Sequence, residues 1–309
     1  MIPNPAVVVL AFPGNEDLAS ELVSALGAQR GALTLHRFPD EETSVRVSGA
    51  VDQCDVIIAC TLDRPNDKLI TLYLTASTLR SLGARRVILA SPYLPYMRQD
   101  RSFHVGEGVS AMHIAKWLSG FLDGLVTVDP HLHRIHHLDE IYRIPTRVVP
   151  AAKPIAHWIR ENVAQPVLVG PDEESRQWVS EVAHDVPCPF FVLDKVRYGD
   201  RDVEVRMPGV AEFQDRTPVL VDDIVSSGYT MIAAVKRLQA SGFGPPVCIG
   251  VHALFSQNAY EQLRHLGSQE VVTCNTIRHI SNGIDLNRSI ALSTRELLEH
   301  LPAAPNTAN

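Results

Sequence analysis

The stretch "PVLVDDIVSSGYTM" (218–231) decides the fold that the sequence predicts. Its apolar run at 219–221 is typical of a buried β-strand, and two carboxylates, Asp222 and Asp223, follow directly. A loop of small residues that includes Gly228 comes next, and a helical pattern begins after it. A strand, a glycine-containing loop and a helix in this order predict an α/β unit in which the start of the helix can bind an anion.

The same alternation of apolar runs and helical patterns extends along most of the chain. Runs rich in β-branched residues predict buried strands at 6–12, 55–61, 85–91, 124–129, 166–170, 190–194, 218–223 and 247–254. Alternating strands and helices predict parallel sheets covered by helices, because parallel strands need a crossover connection. The expected fold class is therefore α/β, with two similar domains of mainly parallel sheet flanked by helices.

The proline-rich stretch "IPTRVVPAAKP" (144–154) indicates a hinge between these two halves. We therefore expect an N-terminal domain at 1–147 and a C-terminal domain at 148–285. A closing amphipathic helix and tail occupy 286–309, and we expect this helix to pack back on the first half.

Composition and charge restrict the function. The chain has 309 residues, a hydrophobic content of 45% and a formal net charge of −7, which argue against nucleic acid or an anionic membrane surface as the main partner. The five cysteines form no CxxC pair, so we expect reduced thiols and a cytoplasmic location. No apolar stretch approaches the ~18 residues of a membrane span.

The residues around Gly228 predict the chemistry of the ligand. Hydroxyls, backbone N–H groups and the positive end of the helix favour a phosphate, whereas Asp222 and Asp223 would repel one placed beside them. A ligand with a phosphate at one end and vicinal hydroxyls at the other satisfies both, and a pentose phosphate has that shape. The alternative is a strand end followed by an ordinary helix cap.

This stretch resembles the ribose-phosphate loop of type I phosphoribosyltransferases and phosphoribosyl pyrophosphate (PRPP) synthetases. The resemblance implies that Asp222 and Asp223 hold ribose hydroxyls. It assigns the 5-phosphate to the loop residues Ser226, Ser227, Gly228, Tyr229 and Thr230. Tyr229 is a departure, because the family commonly has Gly or Ala at this position.

Two segments of the N-terminal half resemble the PRPP synthetases in particular. "SPYLPYMRQDRSF" (91–103) is similar to their adenine-binding segment, and "HRFPDEETSVRV" (36–47) to their FPDGE-type loop. The resemblance implies ATP as co-substrate, with Arg98 stacked on one face of the adenine and Phe38 on the other face from a neighbouring subunit. It therefore implies a homo-oligomer, a dimer or a multiple of dimers. The remaining nucleotide-binding candidates are Asp40, Glu42, Gln99 and Asp100.

Taken alone, the sequence RQDR is as typical of a solvated charged turn as of a nucleotide-binding segment. Glu41 is a departure in the second segment, because it replaces the family's usual glycine.

Two further segments carry the metal candidates. "VTVDPHLHRIHH" (126–137) resembles the synthetases' D-x-H stretch, which implies that His131 meets Mg²⁺-ATP. "LVGPDEESRQW" (168–178) resembles the segment whose aspartate helps to bind Mg²⁺, which assigns that role to Asp172. The histidine-rich run leaves a zinc site and an ordinary surface cluster as alternatives.

The segment "LDKVRYGDRDVEVRM" (193–207) resembles a mobile catalytic loop. The resemblance implies that Lys195 and Arg197 reach the phosphates that are transferred, and His131 is the third catalytic candidate. An exposed hairpin with ordinary basic residues is the alternative.

The function implied is that of a ribose-phosphate diphosphokinase, which makes PRPP and AMP from ATP and ribose 5-phosphate with Mg²⁺. A PRPP-using phosphoribosyltransferase and a non-catalytic regulatory homologue are the competing hypotheses.

Overall fold

The computed structural model describes residues 6–132, 134–193, 210–256 and 258–302. Its strands, in chain order, are β1 (Val7–Ala11), β2 (Gln29–Arg30), β3 (Ala32–Arg37), β4 (Thr43–Ser48), β5 (Asp55–Ala59), β6 (Arg86–Ser91), β7 (Gly124–Val128), β8 (Thr146–Val149), β9 (Pro166–Gly170), β10 (Phe190–Val192), β11 (Thr217–Val225), β12 (Val247–Ala253), β13 (Glu270–Cys274) and β14 (Asn282–Ile284). Its helices are α1 (Glu16–Leu26), α2 (Pro65–Ser81), α3 (Ser110–Leu118), α4 (Ala152–Asn162), α5 (Arg176–Asp185), α6 (Tyr229–Ala240), α7 (Ala259–His265) and α8 (Asn287–His300).

Twelve of these strands form two parallel sheets of six strands each. The first sheet has the order β2-β1-β5-β6-β7-β8, and the second has the order β10-β9-β11-β12-β13-β14. If the strands of each sheet are counted along the chain, both orders are 2-1-3-4-5-6, so the two sheets share one topology. The predicted α/β fold with two similar parallel-sheet domains is confirmed.

The contacts divide the chain into two compact units. Unit 1 contains the residues up to Val149 together with the chain from Asn287 onward, and unit 2 is Pro150–Leu286. Strand β8 lies inside the proline-rich stretch from which the sequence predicted a hinge. Helix α8, at the position of the predicted closing helix, packs on α1, β7 and β8 of unit 1.

Arg86 of β6 binds the last residues that the structure describes and also forms a buried ion pair with Asp55. Arg86 donates from Nε to Oδ1 of Asp55 at 2.9 Å, and from Nη1 to the carbonyl oxygens of Leu301 at 3.3 Å and Pro302 at 3.4 Å. Arg85 binds the same carboxylate through its Nε at 2.9 Å. These two guanidinium groups lower the pKa of Asp55 against the opposing effect of burial.

Each unit has an apolar core on its own sheet. Strands β5, β6 and β7 are buried at every position because helices cover both faces of the sheet, which explains their nearly continuous apolar sequences. In unit 2, Val167, Leu220 and Val235 belong to one buried cluster.

The hairpin β3–β4 stands apart as an antiparallel two-stranded sheet, and its strand β4 packs against α2. None of the described helices combines the length and the apolar character needed to cross a bilayer.

Candidate active site

The loop after β11 has the geometry of an anion-binding site. Gly228 precedes α6 with a φ of +73°, in the left-handed region that glycine adopts without strain. A Cβ added at Gly228 would lie 3.0 Å from the Cβ of Ala259, so a neighbouring segment closes off the space beside it. The first N–H groups of α6 have no partner within the helix, and this end of the helix therefore favours an anion. Tyr229 is 70% exposed, so its ring does not fill the loop.

The two acids of the quoted stretch lie inside β11, which continues through Ile224 and Val225 beyond the predicted strand end at residue 223. Both side chains are half-buried, and the backbone N–H of Asp223 donates to Oδ1 of Asp222 at 3.0 Å. Burial raises the pKa of Asp222 well above its usual range, and the carboxylates of Asp223 and Asp172 add to this effect. The site is therefore a place where negative charges are held close together.

Asp172 comes near Asp222 because β9 and β11 are neighbours in the sheet. In the 2-1-3-4-5-6 order, this pair of strands is the topological switch point, where open α/β sheets bind their ligands. Asp172 opens a short 3₁₀ turn and forms a capping box with Ser175. The structure thus brings Asp172 near Asp222, although fifty residues separate them in the sequence.

Glu173, the residue after Asp172, has a hydrogen-bonding partner of its own. Its carboxylate accepts two hydrogen bonds from Arg176, from Nε at 2.5 Å and from Nη2 at 2.9 Å. Arg176 consequently lowers the pKa of Glu173. The side chain of Glu173 is thus engaged with the first residue of α5.

In unit 1, the predicted adenine-binding residues follow β6 and have different surroundings. Arg98 is exposed. The side chain of Gln99 donates to Oε1 of Glu107 at 2.8 Å and accepts a hydrogen bond from Ser110. These two side-chain hydrogen bonds fix the segment that carries Arg98.

Asp100 links this segment to the one that carries His131. Its side chain is only 4% exposed, and its Oδ1 accepts a hydrogen bond from Nη1 of Arg134 at 3.0 Å. The backbone N–H of Arg134 also donates to Asp100 Oδ2 at 3.3 Å. Strands β6 and β7 are neighbours, so the segments that follow them, with Arg98 and with His131, meet at one edge of the sheet.

The hairpin β3–β4 carries the third group of nucleotide candidates. The ring of Phe38 is 42% exposed at the hairpin turn, with the ring of His36 at 4.6 Å. The N–H of Glu42 donates to Oδ1 of Asp40 at 3.4 Å. Glu41, which replaces the family's glycine, has a φ of +72°, so the turn keeps a backbone conformation suited to glycine.

A cleft with a volume of about 640 Å³ runs between this hairpin and α2. Its walls include Arg37 and Glu42 from the hairpin and Asp67 and Ile70 from the helix. Both walls belong to unit 1.

The backbone of the histidine-rich segment is held at two of its members by Glu140. Oε1 of Glu140 accepts hydrogen bonds from the backbone N–H groups of His136 at 2.8 Å and His137 at 2.9 Å. Among the described residues, no group of three or more His, Cys, Asp or Glu side chains is arranged to hold a metal ion. His131 belongs to unit 1 and Asp172 to unit 2. Lys195 and Arg197, the predicted catalytic-loop residues, lie outside the described part of the chain.

Sequence reasoning missed three contributors to these segments. Glu107 accepts hydrogen bonds from the N–H groups of Phe103 at 2.7 Å and His104 at 2.9 Å, besides the one from Gln99. Arg134 holds Asp100, and the segment around Ala259 lies against Gly228. Sequence gives no signal for Glu107, because it stands in an irregular loop with no motif spacing. The contacts Arg134–Asp100 and Ala259–Gly228 depend on which strands are neighbours in the sheet, which sequence does not reveal.

Two parallel sheets of one topology, one of which carries an Asp pair followed by a glycine-containing loop and a helix, define a phosphoribosyltransferase-like protein. Residues 7–121 match the model of the N-terminal domain of ribose phosphate pyrophosphokinase, and residues 137–288 match that of the phosphoribosyl transferase domain.

Curated relatives extend the match over nearly the whole chain. A ribose-phosphate pyrophosphokinase of Methanopyrus kandleri is 31% identical, over 96% of this chain and 99% of its own length. One from Saccharolobus solfataricus is 32% identical, over 83% of this chain and 89% of its own length.

A crystal structure of phosphoribosylpyrophosphate synthetase from Mycobacterium smegmatis has the same fold, with a TM-score of 0.82 and 24% identity over 95% of this chain and 99% of its own. The chain belongs to the ribose-phosphate pyrophosphokinase family.

Proposed function

We propose that this protein is a ribose-phosphate diphosphokinase. It transfers the β,γ-diphosphoryl group of ATP to the 1-hydroxyl of ribose 5-phosphate and releases PRPP and AMP. The observation that carries the proposal is the convergence of Asp172, Asp222 and the 226–230 loop at the switch point of the second sheet, in a chain of this family. The chain also carries the family's N-terminal domain, which a phosphoribosyltransferase that only consumes PRPP does not need.

Ribose 5-phosphate binds to unit 2 in this proposal. The N–H groups at the start of α6 and the hydroxyls of Ser226, Ser227 and Thr230 receive the 5-phosphate. Asp222 and Asp223 accept hydrogen bonds from the ribose hydroxyls. The raised pKa of Asp222 supports this role, because a half-buried carboxylate beside like charges gains stability when a ligand supplies hydrogen-bond donors.

ATP binds to the polar edge of unit 1. The exposed guanidinium of Arg98 stacks on the adenine, while Gln99 and Asp100 fix the segment around it. The exposed ring of Phe38 covers the nucleotide of a neighbouring subunit, and Asp40 and Glu42 supply hydrogen-bond acceptors. The protein is therefore a homo-oligomer in this proposal.

Mg²⁺ is part of the proposed reaction, and the residues present suit it. Carboxylate oxygens are ligands that Mg²⁺ prefers. Burial raises the pKa of Asp222, the carboxylates of Asp223 and Asp172 add to this effect, and a divalent cation would relieve the repulsion among these charges. Asp172 in unit 2 and His131 in unit 1 are the proposed Mg²⁺ ligands, each considered within its own unit. The ion would neutralise phosphate charge.

The chemistry requires positioning and charge stabilisation more than covalent catalysis. The ribose 1-hydroxyl attacks the β-phosphorus of ATP, and AMP departs. Lys195 and Arg197 neutralise charge on the transferred phosphates and on AMP, and His131 is the candidate for accepting the hydroxyl proton. None of the five cysteines, all of which lie in the described residues, forms a disulfide, and this supports a reducing compartment such as the cytoplasm.

A coupled assay for AMP tests the proposal. The purified protein is incubated with Mg²⁺-ATP, with and without ribose 5-phosphate. We expect AMP only when the sugar is present, in an amount equal to the PRPP formed. A non-catalytic homologue gives no AMP under either condition. A PRPP-using transferase gives no product until PRPP and a nucleobase are supplied. Either result would reject the proposal.

A further inference from the structure

A second loop of unit 2, which no motif singles out, lies against the proposed 5-phosphate loop at 226–230, called the phosphate loop below. It follows β12 and contains Phe255, Ser256, Asn258 and Ala259, which we call the supporting segment. The N–H of Phe255 donates to the carbonyl oxygen of Val225 at 2.9 Å, and the N–H of Ser256 donates to that of Ser226 at 2.9 Å.

These two bonds determine which way the phosphate loop presents its own donors. In a trans peptide unit, the carbonyl of one residue and the N–H of the next point in opposite directions, and the described residues contain no cis peptide bond. The carbonyl of Val225 points at Phe255, so the N–H of Ser226 points away from the supporting segment. The carbonyl of Ser226 points at Ser256, so the N–H of Ser227 also points away from it.

The supporting segment also limits the space beside Gly228. Ala259 is fully buried, and its Cβ lies 3.0 Å and its Cα 3.7 Å from the position that a Cβ on Gly228 would take. The N–H of Ala259 donates to the carbonyl oxygen of Ser256 at 3.2 Å, which closes the segment into a turn. The residue that contacts the glycine and the residue that holds Ser226 are therefore parts of one turn.

The backbone of the supporting segment is strained where it makes these contacts. Phe255 has a φ of +26° and Asn258 a φ of +60°, in the left-handed region that L-residues rarely adopt. Packing holds this conformation, because the ring of Phe255 lies 4.6 Å from that of His279 and 5.5 Å from that of Tyr260. Strained backbone persists only where its surroundings enforce it.

We propose that the supporting segment is a positioning element for the ribose 5-phosphate site. It orients the Ser226 and Ser227 amides toward the 5-phosphate, and Ala259 sets the position of Gly228. This inference rests on the proposed function, since it assigns to that loop a partner that fixes its shape.

The substitution Ala259→Val tests the proposal. Two added methyl groups next to Gly228 displace the phosphate loop, because no free space separates the two. We expect the dissociation constant for ribose 5-phosphate, measured by calorimetry on the full chain, to rise at least tenfold. The KM for ATP should stay within twofold of the wild-type value. The affinity for unphosphorylated ribose should be the same in Ala259→Val and in the wild type, because ribose lacks the phosphate that the loop binds.

Ala156→Val is the matched control. Ala156 is as fully buried in α4, a helix of the same unit, so the same side-chain growth strains the unit elsewhere. We expect it to lower the unfolding temperature without changing the affinity for ribose 5-phosphate. Equal losses of affinity in both variants, or none in Ala259→Val, would overturn the inference.

Hydrogen exchange measured on the wild-type protein tests the same inference without depending on whether a variant folds. Ribose 5-phosphate should slow exchange in a peptide covering 254–260 as well as in one covering 222–230. Protection of the second peptide alone would also overturn the inference while leaving the proposed function intact. A wild-type protein that neither binds ribose 5-phosphate nor releases AMP would reject the proposed function, and the inference with it.

Discussion

Gly228→Ala tests the phosphate loop most sharply, because the structure gives two independent costs for the change. The φ of +73° at this position is unfavourable for alanine by about 1–2 kcal/mol. The new Cβ would also lie 3.0 Å from the Cβ of Ala259 and 3.3 Å from Cδ1 of Ile232. Carbon atoms pack best at about 3.5–4.0 Å, so the loop must move by several tenths of an ångström.

The expected size of the effect follows from the hydrogen bonds at stake. A hydrogen bond to a charged group contributes about 1.5–3 kcal/mol, and about 1.4 kcal/mol corresponds to a tenfold change in affinity. Misalignment of one amide against the 5-phosphate therefore weakens ribose 5-phosphate binding roughly 10- to 100-fold. The free energy of unfolding should fall by about 1–2 kcal/mol in the same variant.

Calorimetry with ribose 5-phosphate and a urea unfolding curve measure the two effects separately. Gly244→Ala is the matched control, because a Cβ added there meets nothing within 4 Å and its φ is not in the left-handed region. We expect the control to change neither quantity by more than a small factor. If Gly228→Ala lost the expected stability but bound ribose 5-phosphate as tightly as the wild type, the loop would not contact the phosphate.

Three further predictions concern single carboxylates. Burial and two neighbouring carboxylates raise the pKa of Asp222, so its contribution to stability is lost as pH rises from the ordinary value of about 3.9 through the raised one. Asp222→Asn should therefore unfold at a higher temperature than the wild type at neutral pH, by a margin that shrinks toward pH 4, and it should lose ribose 5-phosphate binding. The control Asp215→Asn, at an exposed position, should change neither the unfolding temperature nor the binding. An Asp222→Asn protein less stable than the wild type would contradict the assignment. Glu107→Gln replaces a carboxylate that accepts three N–H bonds, so the KM for ATP should rise several-fold while ribose 5-phosphate binding stays unchanged; equal effects on both substrates would refute this role. Glu41→Gly removes an unfavourable φ of +72°, so a urea unfolding curve should give a free energy of unfolding higher by roughly 0.5–1 kcal/mol, and a loss of stability would show that Glu41 is not strained.

The sequence predicted the fold class because the central strands are buried on both faces. Strands β5, β6 and β7 are apolar at nearly every position, which periodicity detects easily. The strands of the hairpin β3–β4 largely alternate between half-buried and exposed residues, and only the motif at 36–47 indicates this segment in the sequence. The proline-rich stretch 144–154 contains both the short strand β8 and the boundary between the two units at Val149 and Pro150, since prolines flank short strands as well as linkers.

The candidate site was predicted residue by residue but not as an arrangement. The motif at 218–231 indicated both the acids and the glycine loop, and α6 begins where the pattern suggested. The approach of Asp172 to Asp222 depends on β9 and β11 being neighbours, which the order of residues does not specify. The contact between Gly228 and Ala259 depends in the same way on the pairing of β11 with β12.

The transfer of a labelled phosphorus from ATP tests the central claim most directly. With ATP labelled at the β-phosphorus, Mg²⁺ and ribose 5-phosphate, a diphosphokinase moves the label into a sugar diphosphate and leaves unlabelled AMP. Recovery of the label in ADP, or in ATP alone, would contradict the account.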